Sequence, residues 1–508
     1  MDTPTVGHAD AGVESRASFL RNPVAGLVLF ALFFLVGSLA VLYPYVVLGC
    51  IAVLATMVLA MLGLRYLRRS SLDAWQMLLL LALSGYMILN YGFENLTIHV
   101  GFPLIISYAL MFASLFLAAY SRPQLFLSAM REPAWICLFA LLLLTCLHLV
   151  VDFPQYGLWA IRDASMYVDA MFLLLGLLWA MRGNSIIPLL KWLVVILLLN
   201  AIYSFTLPMS EQISDWSPKS GVFIPVSIFG NHHGGGVYLL LGAPFYVFLA
   251  RYVVKWPRWL IVVLAMAQLL GLALFQMRAL YIGLIVIIII FAVLGETSKS
   301  AKLLALLSPA LVAVLLLTTL GIEIQGRIGP VETDFFKEHL RSITGAEDTP
   351  GMSVRGRVDW YDQALQHIRA HPVIGEGFGM VLIDDTDDAT GAAVRQPHNS
   401  SISLLARLGA TGLLFWILFH VFVLKKFLYA FRQRHLSDKL MADLVVWLFM
   451  VYVIFMIEAS VEPTFEFPTG SIPFFFFLGL ALGLIRLQFG RTPARATAHV
   501  LATTSVRA

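Results

Sequence analysis

Cysteine is nearly absent from this chain. Cys50, Cys137 and Cys146 are the only ones in 508 residues, and each lies inside an apolar run. That excludes a disulfide framework, and no Cys/His spacing suggests zinc. Charge is scarce as well: 13% of residues are charged against 60% hydrophobic, and the formal net charge is only +4. With its basic residues confined to short segments between apolar runs, the chain offers no surface for nucleic acid. A soluble protein could not hide this much apolar surface, and a mean hydropathy of +0.85 places the chain among polytopic membrane proteins.

A run of about 20 apolar residues spans the hydrocarbon core, and about fourteen candidates can be counted on that basis. They lie near 23–42, 46–64, 74–91, 102–120, 135–151, 166–181, 188–207, 234–250, 259–276, 279–295, 303–321, 408–424, 441–457 and 471–487. The pair flanking Arg278 also reads as one broken helix. Lys and Arg are retained in cytoplasmic loops, and alternate segments carry them: Arg65, Arg68 and Arg69, then Arg122 and Arg131, and later Lys425, Lys426, Arg432 and Arg434. The intervening short loops hold only Arg162, Lys219 and Arg278. This alternation predicts cytoplasmic tails at 1–22 and 488–508, helices over 23–321 and 408–487, and an outward-facing loop over 322–407. No small-residue cleavage site follows the first apolar run, so that run reads as an uncleaved anchor.

The long loop holds most of the chain's polar investment. It carries Arg357-Val358-Asp359-Trp360, then His371-Pro372-Val373-Ile374-Gly375-Glu376-Gly377, then His398-Asn399, and it leads into Leu408-Gly409-Ala410-Thr411-Gly412. Over 356–370 the apolar residues Val358, Tyr361, Leu365 and Ile368 recur at helical spacing, which predicts an amphipathic helix with one apolar face, in a loop that packs back on the outer membrane surface as a small lid. His371-Pro372 stops the helix, and Gly375, Gly377 and Gly379 form a tight connection. Residues 384–391 read as a solvated acidic turn.

These elements, Arg357-x-x-Trp360, His371-Pro372-x-x-Gly375-x-Gly377, His398-Asn399 and Leu408-Gly409-x-x-Gly412, resemble the pattern of the O-antigen ligase and O-antigen polymerase superfamily. The motif likeness covers roughly 60 residues closely and the remainder by topology, with two more spans than the ligases usually have. The resemblance implies an all-α, GT-C-like glycosyltransferase of the bacterial inner membrane with a large periplasmic loop. It implies an undecaprenyl-diphosphate-linked glycan as donor and a glycan or lipid A-core as acceptor. The lipid bilayer and other polysaccharide assembly proteins are its implied surroundings, with no cofactor and no metal. It also implies functional roles for Arg278, although Met277 stands where the family has Ser, and for Arg357 and His398. Arg355, two residues before Arg357, is the alternative holder of its place.

Elementary chemistry fits the same three residues. Displacing a sugar from a lipid diphosphate builds negative charge on the departing oxygens, which two guanidiniums can take through forked hydrogen bonds. The acceptor hydroxyl loses a proton as it attacks, a task suited to an imidazole. Weaker candidates are Asn399, Arg162, and His232 and His233 in a Gly-rich helix start whose amides suit phosphate. Glu458 is a further one, grouped with Glu462 and Glu466 in a segment that otherwise reads as a solvated loop. The rival from another class is a transporter of lipid-linked glycans. It would place ionisable groups near the bilayer midplane, where His148 and His420 are the nearest candidates.

Overall fold

The computed structural model describes residues 72–99, 103–183, 185–223, 225–230, 232, 234–319, 326–327, 329–331, 354–386 and 393–489. The two spans expected at 23–42 and 46–64, both tails and His233 lie outside them. Helices stand at each of the other twelve places where spans are expected. Among the described residues, seven are long and apolar enough to cross a membrane, beginning with Pro133–Tyr156 and ending with Pro468–Gln488. Ile106–Ser121 and Pro123–Ala129 are bent by 114° and together form an eighth candidate. Ala74–Leu89, Ser165–Met181 and Arg278–Val293 are apolar but shorter.

The helices pack around one apolar core. Phe172–Met181 and Pro468–Phe489 form its tightest seam, because each carries a glycine where they cross. A Cβ on Gly176 would strike the backbone of Phe476, and one on Gly479 would strike that of Leu173. Small residues of this kind let helix backbones approach closely where lipid supplies no hydrophobic drive. On Pro133–Tyr156 the side chains of Phe139, Leu143, Leu147 and Val150 are exposed, the pattern of a helix bordering lipid.

The polar segment after 319 has a small core of its own, made of Trp360, Ala364, Leu382, Ile383, Val394 and Ala406. The helix Val354–Ala370 forms as expected, and the face it turns to the protein differs from its aliphatic stripe. Trp360 and Ala364 point inward, with Ile368 packed beside them, whereas Val358 is 50% and Leu365 37% exposed. The face is set by Trp360, whose indole Nε1 donates to Asp385 Oδ2 at 2.6 Å. An aromatic that buries most of its surface and still finds a partner for its N–H outweighs the smaller aliphatic stripe.

Gly409 divides the helix Ser400–Gln433, with φ 61° and ψ −163°, a backbone state open essentially to glycine alone. In an unbroken helix the amides of Ala410 and Thr411 would donate to the carbonyls of Ala406 and Arg407. Here Ala410 donates to Pro372 at 2.9 Å and Thr411 to Val373 at 3.0 Å. The carbonyls of Ala406 and Arg407 accept instead from Glu376 at 2.8 Å and Gly377 at 3.0 Å. The His-Pro-x-x-Gly-x-Gly segment is thus spliced into the helix break and pairs the two amides and two carbonyls that the break would free. Gly375 and Gly377 have φ of 79° and 90°, and a Cβ on Gly375 would collide with the Arg407 carbonyl. The two glycine motifs are one structural unit.

Candidate functional site

The site lies at one end of the bundle, where four separated stretches converge. Gln276, in the left-handed region at φ 52°, ends the helix Arg258–Phe275, and Arg278 opens the next, Arg278–Val293. Arg357 lies on Val354–Ala370. His398 and Asn399 precede Ser400–Gln433. Glu458 sits in the last turn of Lys439–Ala459, and Glu462 follows it, its amide donating to the Glu458 carbonyl at 2.8 Å.

Glu462 is the junction. Its Oε1 accepts from Arg357 Nη2 at 3.3 Å, and its Oε2 lies 3.3 Å from His398 Nδ1. One carboxylate therefore spans an arginine and a histidine from different parts of the chain. His398 is tilted against Trp360, with ring centroids 5.0 Å apart. Its backbone has φ 44°, uncommon for a residue with a Cβ and characteristic of functional positions. Asn399 fixes the approach: its Oδ1 caps the helix by accepting from Ser401 and Ile402 at 3.1 Å each, and its Nδ2 donates to Ser460 O at 2.9 Å. Arg278 is affected by burial and then by the charge of Arg357, so two like charges stand near each other, an arrangement that favours an anion between them.

The structure thus brings together Arg278, Arg357, His398, Asn399 and the 458–462 segment. Arg355 lies on the same helix as Arg357. Arg162 belongs to a different cluster built on Asp163, whose side chain is fully buried. Arg162 Nη1 lies 3.1 Å from Asp163 Oδ1, and Oδ2 is approached by Arg407 at 2.8 Å and Arg395 at 3.4 Å. Gly379 N donates to the same carboxylate at 3.2 Å. Arg395 also stacks over Trp159 at 4.2 Å. A few residues away, Phe378 N donates to Asp152 Oδ2 at 2.7 Å. These contacts clamp the glycine-rich segment to the helices Pro133–Tyr156 and Leu158–Asp163.

His232 is a buried strut. It stacks on Tyr203 with centroids 4.4 Å apart, with Nδ1 3.1 Å from Gly230 O and Nε2 2.9 Å from Thr206 Oγ1. Burial pushes its pKa down to about 4 from the ordinary 6.5. An unfolded chain takes up this proton before the folded one does, so stability is intact above about pH 6.5 and lost as pH falls towards about 4. Unfolding of the detergent-solubilised protein between pH 4.5 and 7.5 should show this loss, and His232→Gln should flatten it.

Sequence reasoning grouped Glu462 with two other glutamates and read the group as solvated loop. Nothing local marks it, since its partner Arg357 is 105 residues away. The constellation of two arginines, a histidine and a linking carboxylate suits transfer from an anionic leaving group. Residues 261–417 match the O-antigen ligase family model. The matched stretch runs from the helix before Arg278 through Arg357 and His398 to the half-helix beyond Gly409, the same family that the loop motifs resemble. Glu458, Glu462 and the Asp163 cluster's Arg162 fall outside it. No curated protein matches the chain.

Proposed function

We propose that this protein is a membrane glycosyltransferase of surface polysaccharide biosynthesis, moving a glycan from undecaprenyl diphosphate to an acceptor on the periplasmic face. The observation that carries the reading is Glu462 joining Arg357 to His398 beside Arg278. The acceptor hydroxyl oxygen attacks the anomeric carbon, the bond from that carbon to the diphosphate oxygen breaks, and undecaprenyl diphosphate leaves. Arg278 and Arg357 take the charge that grows on its oxygens. The Glu462 carboxylate, 3.3 Å from Nδ1, steadies the positive charge that forms when Nε2 of His398 accepts the hydroxyl proton. Asn399 holds the histidine in place from the helix cap.

The polar groups gather at a bundle end, which suits chemistry at a membrane surface better than passage through it. A ligase would deliver the glycan to lipid A-core, and a polymerase to a second lipid-linked repeat unit. The family description favours the ligase. Gene deletion followed by gel analysis of surface polysaccharide tests the pair: bare lipid A-core with accumulated free polymer marks a ligase, and single-repeat products mark a polymerase. Complementation with Arg357→Ala should reproduce the deletion pattern while the protein is made at normal levels. Full restoration by that variant would refute the reading.

A further inference from the structure

Residues 326–327 and 329–331 lie outside every motif, yet they are fastened to the helix break beside Arg278. The amide of Arg327 donates to Leu274 O at 2.9 Å, and that of Gly326 to Gly329 O at 2.8 Å. The Gln276 carboxamide grips Gly329 from both sides, Nε2 donating to its carbonyl at 2.9 Å and Oε1 accepting from its amide at 3.2 Å. Gln276 is 1% exposed, so these bonds satisfy a buried amide that would otherwise be costly. Arg327 is thereby held at the break from which Arg278 starts, with its side chain open to solvent. Desolvation by the surrounding groups lowers its pKa, and the charges of Glu462 and Glu458 oppose that shift; Glu462 also binds Arg357.

We infer that Arg327 is a third diphosphate-binding guanidinium, reaching the phosphate oxygens of the lipid donor alongside Arg278 and Arg357. The inference rests on the lipid-diphosphate reading above. Glu462 binds Arg357 and its charge also acts on Arg327, so one carboxylate is shared between two of the three guanidiniums. A diphosphate supplies several acceptor oxygens and more than one negative charge, and each guanidinium can meet them in a fork. An arginine that only solvated a loop would not need its backbone tied to the break, nor would it face the carboxylate that organises His398. The fastening also explains the left-handed Gln276: only with the helix ended there does its side chain turn to hold Gly329.

The test measures binding of farnesyl diphosphate, with farnesyl monophosphate for comparison, to the full-length protein in detergent. Arg327→Ala should weaken diphosphate binding about 10- to 100-fold, the range for losing a charge-assisted hydrogen bond, and should weaken monophosphate binding less. Arg327→Lys should recover part of the loss, because charge returns without the fork. Thermal unfolding without ligand should be unchanged in both variants. If Arg327→Ala binds diphosphate as the wild type does while Arg357→Ala does not, this inference falls and the donor reading stands. If neither variant changes diphosphate binding, or the wild type binds none, the donor reading falls with it. Should the alanine variant not accumulate, Arg327→Lys with undiminished diphosphate affinity and unchanged preference over monophosphate overturns the inference equally.

Discussion

His398→Ala should lower glycan transfer by about 10²- to 10⁴-fold, the usual worth of a positioned general base, with little change in unfolding. The imidazole is on a left-handed residue at the edge of the fold, and its contacts are to Trp360 and Glu462. Removing it therefore opens no cavity in the apolar core. Glu462→Gln should lower transfer by a smaller factor, because the amide keeps the shape of the bridge and loses the charge that steadies a protonated histidine. Turnover of a lipid-linked glycan by purified protein, measured beside donor affinity, checks both. The His398 variant should retain donor affinity, whereas Arg357→Ala should lose it. An alanine variant with wild-type turnover would remove the base from the mechanism.

Asp163→Ala carries the largest expected effect on stability. The Asp163 side chain is fully enclosed, and Arg407 opposite is 2% exposed. Removing one partner of a buried ion pair strands the other's charge, which costs about 3–5 kcal/mol. Here Arg407 and Arg395 lose a shared partner and Gly379 loses the acceptor for its amide. Asp163→Asn should lose less, since its carbonyl can still accept from Gly379. Denaturant unfolding in detergent measures the loss. Limited proteolysis should show the 371–395 segment cut faster in the alanine variant, and transfer should fall because the spliced loop is no longer clamped. A stability close to wild type would mean that the three arginines find other partners.

The membrane class was legible in hydropathy alone, and helices occur at each expected place among the described residues because long apolar runs have few other stable forms in lipid. Arg357 and His398 stand out from motif order because they lie with the glycines in one stretch, and the structure joins both to Glu462; their roles, with that of Arg278, are the proposal. Three features do not stand out in the sequence. Glu462 looks like any loop glutamate until the fold carries it across 105 positions to Arg357. Arg327 sits in a stretch whose importance comes from Gln276, a residue that reads as an ordinary helix end. The face that Val354–Ala370 turns to the protein is set by Trp360 donating to Asp385, a pairing across 25 positions that the aliphatic spacing does not carry. The glycine motifs were visible as motifs, but their physical reason, a turn segment inserted in a helix ladder, is a relation between segments that no local pattern encodes.

That insert has a mechanical consequence. Peeling the arm that bears His398 away from the bundle would bare two amides and two carbonyls around Gly409, at about 1–3 kcal/mol for each stranded group. On the proposed reading, that cost holds the imidazole and its neighbours at a fixed spacing while the lipid and its sugar move.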